Sequence, residues 1–360
     1  MDHFEIRNGV MHAEDVPLTR IADEVGSPVY VYSRATLERH ARVFLEALSG
    51  VGRKHVAFAI KANPNLSVLR VLAKCGFGAD VVSGGEIARA LASGMAPADV
   101  VFSGVGKTRD ELKRALDDGI GQFNIELEEE GVALSELAAA MGKRAIAVLR
   151  VNPDVDAKTH AKISTGKKEN KFGVPIDRAG GIYTRLAALS GLDMRGVALH
   201  IGSQVFDLGP LEAGYARIGQ FVGELRGAGH TIDRVDLGGG LGVPYQRDQV
   251  PPEPAEYGRM VERVTRGWDV TLMFEPGRVI VGNAGVLVTR VIWVKPGVIN
   301  PYVIVDAAMN DLARPALYDA WHDFEAVAPT GERMIANIAG PVCESTDTFG
   351  MGRDIDRVQS

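Results

Sequence analysis

The stretch HVAFAIKANPNLSVL, residues 55–69, decides the fold because it joins an apolar strand to a helix through a lysine. Residues Val56–Ile60 are apolar without interruption, which is typical of a strand buried on both faces of a parallel sheet. Lys61 follows at the end of that strand. Its side chain there either extends to water along its own apolar stem or uses its amine.

The same order of strand, turn and amphipathic helix repeats from about residue 35 to residue 280. The spacing of apolar residues predicts two of the helices at Thr108–Asp117 and Glu128–Met141. Eight strands alternating with helices indicate a parallel α/β fold. The count favours a closed (β/α)8 barrel over an open doubly wound sheet, which remains the alternative. The predicted strands are Val56–Ile60, Ala79–Val82, Val100–Phe102, Gln122–Ile125, Ile146–Val151, Val197–Ile201, Arg234–Leu237 and Val270–Phe274.

Both ends of the chain differ from this middle part. Val286–Val294, Tyr302–Val305 and Met334–Ile338 are rich in β-branched residues, which favours antiparallel strands. Pro28–Tyr32 is also strand-like and could pair with them. The sequence therefore predicts a barrel over residues 34–281 and a mostly β domain made of residues 1–33 and 282–360.

Composition excludes several classes of function. The chain has 360 residues, a formal net charge of -6 and a pI of about 5.8, so we expect neither a nucleic-acid surface nor a membrane surface. No apolar run approaches the length of a membrane span, and no secretory signal opens the chain. Two cysteines, Cys75 and Cys343, cannot form a disulfide framework, so we expect a cytoplasmic protein. No metal site is predicted.

Residues 156–172, DAKTHAKISTGKKENKF, form a polar segment rich in lysine. They follow a predicted strand of the barrel. The segment is either a solvated loop or a mobile lid over a site at the strand ends.

Polar residues and glycines collect at the carboxyl ends of the predicted strands, where barrels carry their chemistry. A lone lysine at such a position is commonly a solvated side chain. A partly apolar barrel mouth would instead lower the pKa of the amine, and a less protonated amine can form an imine with a carbonyl compound. The strand-end positions are Lys61, Ser83, Ser103, Glu126, Asn152, His200, Gly238–Gly240 and Glu275.

Two segments with glycine follow the last two predicted barrel strands. VDLGGGLGVPY, residues 235–245, and FEPGRVI, residues 274–280, lie where barrels bind phosphate, although tight turns would also explain the glycines. Glu275 is either part of a structural salt bridge or a carboxylate that keeps a pyridine nitrogen protonated. His200 is either a core histidine or a ring that stacks on a flat ligand. Together they indicate a site for an aromatic aldehyde with a phosphate, which is pyridoxal 5'-phosphate.

Seven motifs occur in the order found in one family: AFAIKAN, GADVVSGGE, ALHIGSQ, DLGGGLG, EPGR, NDLARPALYDAWH and GPVCESTD. From about residue 4 to residue 350 the chain resembles the pyridoxal-phosphate-dependent decarboxylases of the alanine-racemase fold (fold type III), most closely those acting on diaminopimelate. The resemblance implies decarboxylation of meso-2,6-diaminopimelate to L-lysine and CO2, the last step of lysine biosynthesis by this route. The segment THAKISTGKKENKFG is similar to the lid loop of the family, which favours the lid interpretation.

The resemblance also implies roles for individual residues. Lys61 would hold the cofactor as a Schiff base, and His200 would stack on the cofactor ring. Cys343 would be the proton donor and, with Glu344, would reach the active site of a second subunit, which implies a homodimer with shared active sites. The other implied cofactor contacts are Ser203, Gly238, Gly239, Gly240, Glu275, Pro276, Gly277 and Arg278. The implied contacts to the distal end of the substrate are Arg278, Arg314, Tyr318 and Glu344.

Residue chemistry agrees with these roles but leaves alternatives. Arg314 and Tyr318 are four positions apart, so one helical turn can present both to a carboxylate, although a surface turn is equally compatible. A thiol can protonate a carbanion, so Cys343 is either a proton donor or a small buried residue. We expect Cys75, next to the apolar helix Val68–Lys74, to be a buried residue.

Other functions share part of the pattern. A decarboxylase for ornithine, arginine or carboxynorspermidine would keep the lysine, histidine and glycine motifs, whereas RPALYDAWH and CES favour diaminopimelate. A racemase would need a second base opposite Lys61, for which no residue stands out. A non-catalytic cofactor-binding homologue would suit a shortened chain, since members of the family continue beyond the point where this sequence stops. That tail completes the β domain, so we expect unpaired strand edges, lower stability and weaker activity in the chain as given.

Overall fold

A computed structural model describes residues 2–155, 171–246 and 248–359 of the chain. The chain divides into two units. The barrel unit comprises Leu37–Val243 and Pro251–Gly282, and the β-rich unit comprises Met1–Thr36, Pro244–Val250 and Asn283–Ser360. All of the predicted lid except its last two residues lies outside the described residues. In the part of the chain described here, no helix is both long and apolar enough to cross a lipid bilayer.

The described elements are numbered in chain order. The strands are β1 Phe4–Arg7, β2 Val10–Ala13, β3 Val16–Pro17, β4 Val29–Tyr32, β5 Lys54–Ala59, β6 Gly78–Val81, β7 Val100–Phe102, β8 Gln122–Ile125, β9 Ala145–Asn152, β10 Val174–Pro175, β11 Leu192–Ala198, β12 Arg234–Asp236, β13 Thr271–Phe274, β14 Gly285–Val288, β15 Val291–Lys295, β16 Tyr302–Val305, β17 Arg333–Ala339 and β18 Thr348–Asp356. The helices are α1 Leu18–Val25, α2 Arg34–Ala47, α3 Leu66–Lys74, α4 Gly84–Ala92, α5 Arg109–Asp118, α6 Glu128–Ala140, α7 Ile176–Ala187, α8 Leu208–Gly227, α9 Pro254–Val264, α10 Arg278–Val281 and α11 Arg314–Tyr318.

The barrel unit contains a closed sheet of eight parallel strands. Its hydrogen-bonded order is β5-β6-β7-β8-β9-β11-β12-β13, and pairing of β13 with β5 completes the ring. A helix follows each of these strands in the chain. Strands such as β6 and β8 are buried along their whole length, as expected when helices cover the outside of the ring. The structure therefore confirms the (β/α)8 barrel.

Helix α5 illustrates why the sequence forms helices between these strands. The Thr108 hydroxyl oxygen accepts the N–H of Glu111, and the Glu111 carboxylate accepts the N–H of Thr108, so two N–H groups at the start of the helix are satisfied. The helix ends at Gly119, whose φ of +72° suits glycine. Leu112 and Leu116 lie on its buried face, as the apolar spacing predicts.

One barrel strand was misplaced by the sequence pattern. The strand predicted at Val197–Ile201 lies at Leu192–Ala198 in the structure. The prediction began too late because Asp193 and Arg195 interrupt the apolar run. The structure pairs Arg195 with Asp193 over 3.3 Å, and Arg195 also forms an ion pair with Asp233. These charges are half-buried in the amino-terminal half of the strand, and its register with β9 shifts at Arg195, between Met194 and Gly196.

The β-rich unit contains three small sheets. Strand β4 pairs antiparallel with β14, so the N-terminal strand does pair with the C-terminal segment. The largest sheet has the order β15-β16-β17-β18. Two predictions are corrected: Val286–Val294 forms two strands rather than one, and β16 runs parallel to β17, because β-branched composition sets no strand direction. The buried core of this sheet is formed by Val303, Val305, Ala307, Ala336, Ile338, Phe349 and Ile355.

Candidate active site

Lys61 lies at the carboxyl end of β5, in a single 3-10 turn formed by Ile60–Ala62. The parallel register places Asp80 of β6 beside Ala59. The lysine side chain reaches across to this neighbouring strand, and its Nζ donates to Oδ2 of Asp80 over 2.6 Å. The Asp80 side chain is fully buried, whereas 51% of the Lys61 side chain is exposed. A buried carboxylate thus holds the amine at the barrel mouth.

The pKa of Lys61 is raised above its ordinary value. Burial disfavours the charged amine, but the charge of Asp80 and its hydrogen bond with the amine outweigh that penalty. The sequence-based expectation of a lowered pKa is therefore wrong, because it counted desolvation and left out the carboxylates. In this state Lys61 is an ammonium ion paired with Asp80.

Glu275 follows β13, the strand beside β5 in the ring. Its Oε1 accepts hydrogen bonds from Oγ of Ser103 over 3.3 Å and from Nδ2 of Asn124 over 3.4 Å. Burial raises the pKa of Glu275 well above its ordinary value, and the charges of Asp236 and Asp80 raise it further. Glu275 therefore releases its proton less readily than an exposed carboxylic acid does.

The glycines after β12 pack directly against the backbone of neighbouring loops. At Gly239 a Cβ atom would collide with the carbonyl oxygen of Glu275. At Gly240, whose φ is +119°, it would collide with the carbonyl oxygen of Gly202. Glycine is required at both positions, and the result is a strip of backbone without side chains at the barrel mouth. Such backbone can approach a phosphate closely.

His200 follows β11, and its ring contacts the glycine segment. The N–H of Gly239 donates to Nδ1 of His200 over 3.3 Å, so Nε2 carries the ring proton. Burial lowers the pKa of His200 to about 3, with the positive charges of Arg150 and Lys61 acting in the same direction. The imidazole is therefore neutral at pH 7, a flat and uncharged ring suited to stacking.

Arg278 begins α10, immediately after the Pro276–Gly277 pair. Its guanidinium donates to Oγ of Ser203 over 3.2 Å. The carbonyl oxygen of Pro276 accepts the N–H of Ala59 over 3.0 Å, and a Cβ at Gly277 would press on the Ala59 side chain at 3.2 Å. This loop is therefore fixed against the end of β5, next to the Lys61 turn.

The barrel thus gathers most of the predicted site residues at one end. Their strands, β11, β12, β13 and β5, are consecutive in the ring. The residues gathered there are Lys61, His200, Ser203, Gly238, Gly239, Gly240, Glu275, Pro276, Gly277 and Arg278.

The remaining predicted residues lie in the β-rich unit. Arg314 and Tyr318 form the ends of α11, one helical turn apart, as the sequence predicts. The Arg314 guanidinium donates to Oη of Tyr245 over 2.6 Å and lies 4.6 Å from the centre of that ring. This geometry combines a charge-assisted hydrogen bond with a cation–π contact. His322 packs edge-on against the same tyrosine ring, at 5.8 Å between ring centres.

Cys343 and Glu344 are exposed in the turn between β17 and β18. The N–H of Thr346 and the hydroxyl of Ser345 donate to Oε1 of Glu344, and these bonds lower the pKa of Glu344. Buried Asp347 fixes the turn by accepting the N–H of Val342 over 2.8 Å. The exposed thiol excludes the alternative of a small buried residue for Cys343. Cys75, expected to be buried, is half-buried.

Several polar residues around Lys61 and Glu275 were missed from the sequence. Asp80 and Asp236 lie inside strands that were recognised by their apolar residues. A carboxylate within an apolar strand indicates that a polar partner lies nearby, since burying a charged group without a partner is costly. Asn124 has the same position in β8. In the β-rich unit, Tyr245 beside Arg314 was also missed, because it lies in a loop with no periodic pattern.

The residues at the barrel mouth fit a phosphorylated aromatic aldehyde. An amine at Lys61 can bind the aldehyde, and an acid at Glu275 can bind a ring nitrogen. Glycine backbone and the Arg278 guanidinium suit a phosphate, because both offer N–H donors to an anion and the glycines have no side chain to hinder its approach. The donor set thus matches the chemistry of pyridoxal 5'-phosphate.

Comparison with known proteins agrees with this geometry. The family model described as "Pyridoxal-dependent decarboxylase, pyridoxal binding domain" matches residues 34–282. The diaminopimelate decarboxylase of Zymomonas mobilis is 51% identical over 360 residues, which cover 99% of this chain and 86% of the relative. That of Pseudomonas aeruginosa is 51% identical over 356 residues, covering 99% and 85%. The crystal structure of diaminopimelate decarboxylase from M. jannaschii in co-complex with L-lysine has a TM-score of 0.94 at 35% identity, covering 99% of this chain and 85% of that one. The chain belongs to the family of pyridoxal-dependent decarboxylases.

Proposed function

We propose that the chain decarboxylates meso-2,6-diaminopimelate to L-lysine and CO2 with pyridoxal 5'-phosphate as cofactor, the last step of lysine biosynthesis by this route. The observation that carries the proposal is the placement of the Lys61 amine and the Glu275 carboxyl group at the ends of adjacent strands. A pyridoxal site needs this combination of an amine and an acid. Relatives at 51% identity are diaminopimelate decarboxylases, which favours this substrate over ornithine, arginine or carboxynorspermidine.

Each cofactor contact has a chemical role in the proposal. Bound pyridoxal phosphate supplies an electron sink for the electron pair that remains when a carboxylate leaves as CO2. Lys61 would bind the aldehyde carbon, and Glu275 would hold a proton at the ring nitrogen. His200 would lie against the ring without adding charge. The backbone at Gly238–Gly240 and Gly277, with Arg278, would bind the phosphate, while Ser203 and Pro276 hold that arginine and its loop in place.

The residues of the β-rich unit act on the substrate in this proposal. Arg314, with Arg278, binds the distal carboxylate, and Tyr318 adds a hydroxyl beside it. Glu344 binds the distal amino group, because its lowered pKa keeps the carboxylate charged. Cys343 delivers a proton from Sγ to the α-carbon after CO2 has left. A substrate without a second amino-acid head leaves these groups unpaired, which accounts for selectivity.

We further propose that the active form is a homodimer in the cytoplasm. The exposure of Cys343 and Glu344 supports the first part, since the turn between β17 and β18 is accessible to a second copy of the chain. The second part is supported by the low cysteine content, two residues in a chain of 360.

The test is an assay of the purified protein with pyridoxal phosphate and meso-diaminopimelate, measuring CO2 and L-lysine. We expect equal amounts of both products and no turnover by Lys61→Ala. The matched control is Lys54→Ala, at the other end of the same strand, which should retain activity. L-ornithine and L-arginine serve as competing substrates. Turnover of either without turnover of diaminopimelate would overturn the proposal.

A further inference from the structure

Asn124 joins two acidic side chains inside the barrel. Its Nδ2 lies 3.1 Å from Oδ2 of Asp236 and 3.4 Å from Oε1 of Glu275. One amide nitrogen therefore brings two carboxyl groups from adjacent strands into the same small volume. Asp236 is almost completely buried there, at 1% exposure.

Gln122 fixes the orientation of the Asn124 side-chain amide. Nε2 of Gln122 donates to Oδ1 of Asn124 over 2.8 Å, and Oε1 of Gln122 accepts from the Arg234 guanidinium over 3.3 Å. A chain of hydrogen bonds thus runs from Arg234 at the start of β12 to the amide. Because the amide oxygen is occupied by Gln122, the amide nitrogen has to face the two acids.

Both acids lie within reach of the same amide nitrogen, and Asp236 is buried there. Two ionised carboxylates in one buried site repel each other, which favours the state in which one of them is protonated. The proton then belongs to the pair rather than to either acid alone.

Their other contacts decide which acid carries that proton. Oδ1 of Asp236 accepts the N–H of Gly238 over 2.9 Å, and its Oδ2 accepts the Asn124 amide, so the charge on Asp236 is stabilised. Glu275 accepts longer bonds, so it is the member that carries the proton. Burial raises the pKa of both acids, and that of Glu275 is raised well above its ordinary value. The charged groups facing the pair are Lys61 and Asp80, and these two neutralise each other at 2.6 Å.

We propose that Asp236 is a positioning residue for Glu275: the two carboxyl groups share one proton in the cofactor-free barrel, and Asp236 holds the protonated Glu275 where the ring nitrogen of the cofactor arrives. The second half of this inference rests on the proposed function. The shared proton is a property of the cofactor-free protein and stands independently of it.

The first test is infrared spectroscopy of the cofactor-free protein near neutral pH. A protonated carboxyl group gives a carbonyl stretching band separate from that of carboxylates. We expect such a band in the wild-type protein and its loss in both Asp236→Asn and Glu275→Gln, because each variant removes one of the two sharing partners. Asp233→Asn is the matched control, since it makes the same chemical change three residues earlier and should keep the band.

Two outcomes would overturn the inference. One is a wild-type spectrum without the band. The other is a band that survives in Asp236→Asn, since Glu275 would then hold its proton without help from Asp236. Glu275→Gln provides an independent reading if Asp236→Asn fails to fold, and thermal melting identifies that case.

The second test is calorimetry of pyridoxal phosphate binding in buffers of different ionisation enthalpy. The free wild-type protein holds a proton that free Asp236→Asn lacks, so proton exchange on binding should differ between them by about one proton. Equal proton exchange in the two proteins contradicts the inference and leaves the proposed function intact. Failure of the wild-type protein to bind pyridoxal phosphate contradicts the proposed function instead, whatever the infrared result.

Discussion

Lys61 and Asp80 form an ion pair of 2.6 Å whose two members differ sharply in exposure. The aspartate side chain is fully buried, while half of the lysine side chain is in contact with solvent. The carboxylate therefore works as a fixed anchor, and the amine is the member that can move when an aldehyde arrives.

Replacing Asp80 with Asn is expected to lower the pKa of Lys61, because the largest favourable charge beside the ammonium is removed. The free amine then becomes available at lower pH. The rate at which pyridoxal phosphate is captured, followed by absorbance from about pH 6 to pH 10, should show its midpoint shifted to lower pH. Lys61→Ala in the same background should show no capture. A midpoint that stays in place or rises contradicts the role of Asp80.

His200 links stability to pH. Its folded-state pKa of about 3 lies below the ordinary 6.5, so the unfolded chain takes up a proton that the folded protein refuses. The stabilisation is complete above pH 6.5 and is lost as the pH falls from there toward 3. Between pH 8 and pH 5 the wild-type protein should lose up to about 2 kcal/mol more than His200→Gln does.

Urea denaturation of both proteins at the two pH values measures this difference. Every other titrating group is common to the pair, so their effects cancel in the comparison. Equal losses in the two proteins would mean that His200 is not held neutral.

A methyl group at position 239 should cost both stability and cofactor binding. The Cβ of Gly239→Ala collides with the carbonyl oxygen of Glu275, so the loop has to shift and the backbone strip is distorted. We expect a loss of about 1–3 kcal/mol in unfolding free energy and weaker pyridoxal phosphate binding. The control is Gly223→Ala in helix α8, where a Cβ meets no atom within 4 Å. That change should stabilise the protein by about 0.5–1 kcal/mol.

Tyr245 should control how well Arg314 binds a carboxylate. Tyr245→Phe keeps the ring under the guanidinium but removes the hydroxyl 2.6 Å away. Since hydrogen bonds to charged groups contribute about 1.5–3 kcal/mol, KM for diaminopimelate should rise roughly tenfold or more, with kcat nearly unchanged. Tyr30→Phe removes a comparable hydroxyl, bonded to the Asp311 carbonyl oxygen, and should leave KM in place. A fall in kcat at constant KM contradicts the prediction.

The barrel could be predicted from the sequence because its strands are buried on both faces and so appear as continuous apolar runs. Strand β18 has no such run: it contains two glycines, and three of its last four residues are charged. Its pairing with β17 depends on tertiary packing rather than on local preference. Strands β1 to β3 are short and partly exposed, which weakens their pattern for the same reason.

The candidate site was predictable where a reactive group ends an apolar run, as Lys61 and Glu275 do. It was not predictable where the polar group lies within the run. Asp80 and Asp236 are such cases, because a pattern of burial cannot reveal which partner satisfies a buried charge. The raised pKa of Lys61 was missed in consequence, since it depends on Asp80 more than on the surrounding apolar surface.

The pairing of β4 with β14 has a consequence for synthesis on the ribosome. These two strands are separated along the chain by the entire barrel. The barrel can therefore form its core before β14, the partner of β4, has been translated. Until then β4 exposes an unsatisfied edge, so the emerging chain is most vulnerable to misassociation late in translation.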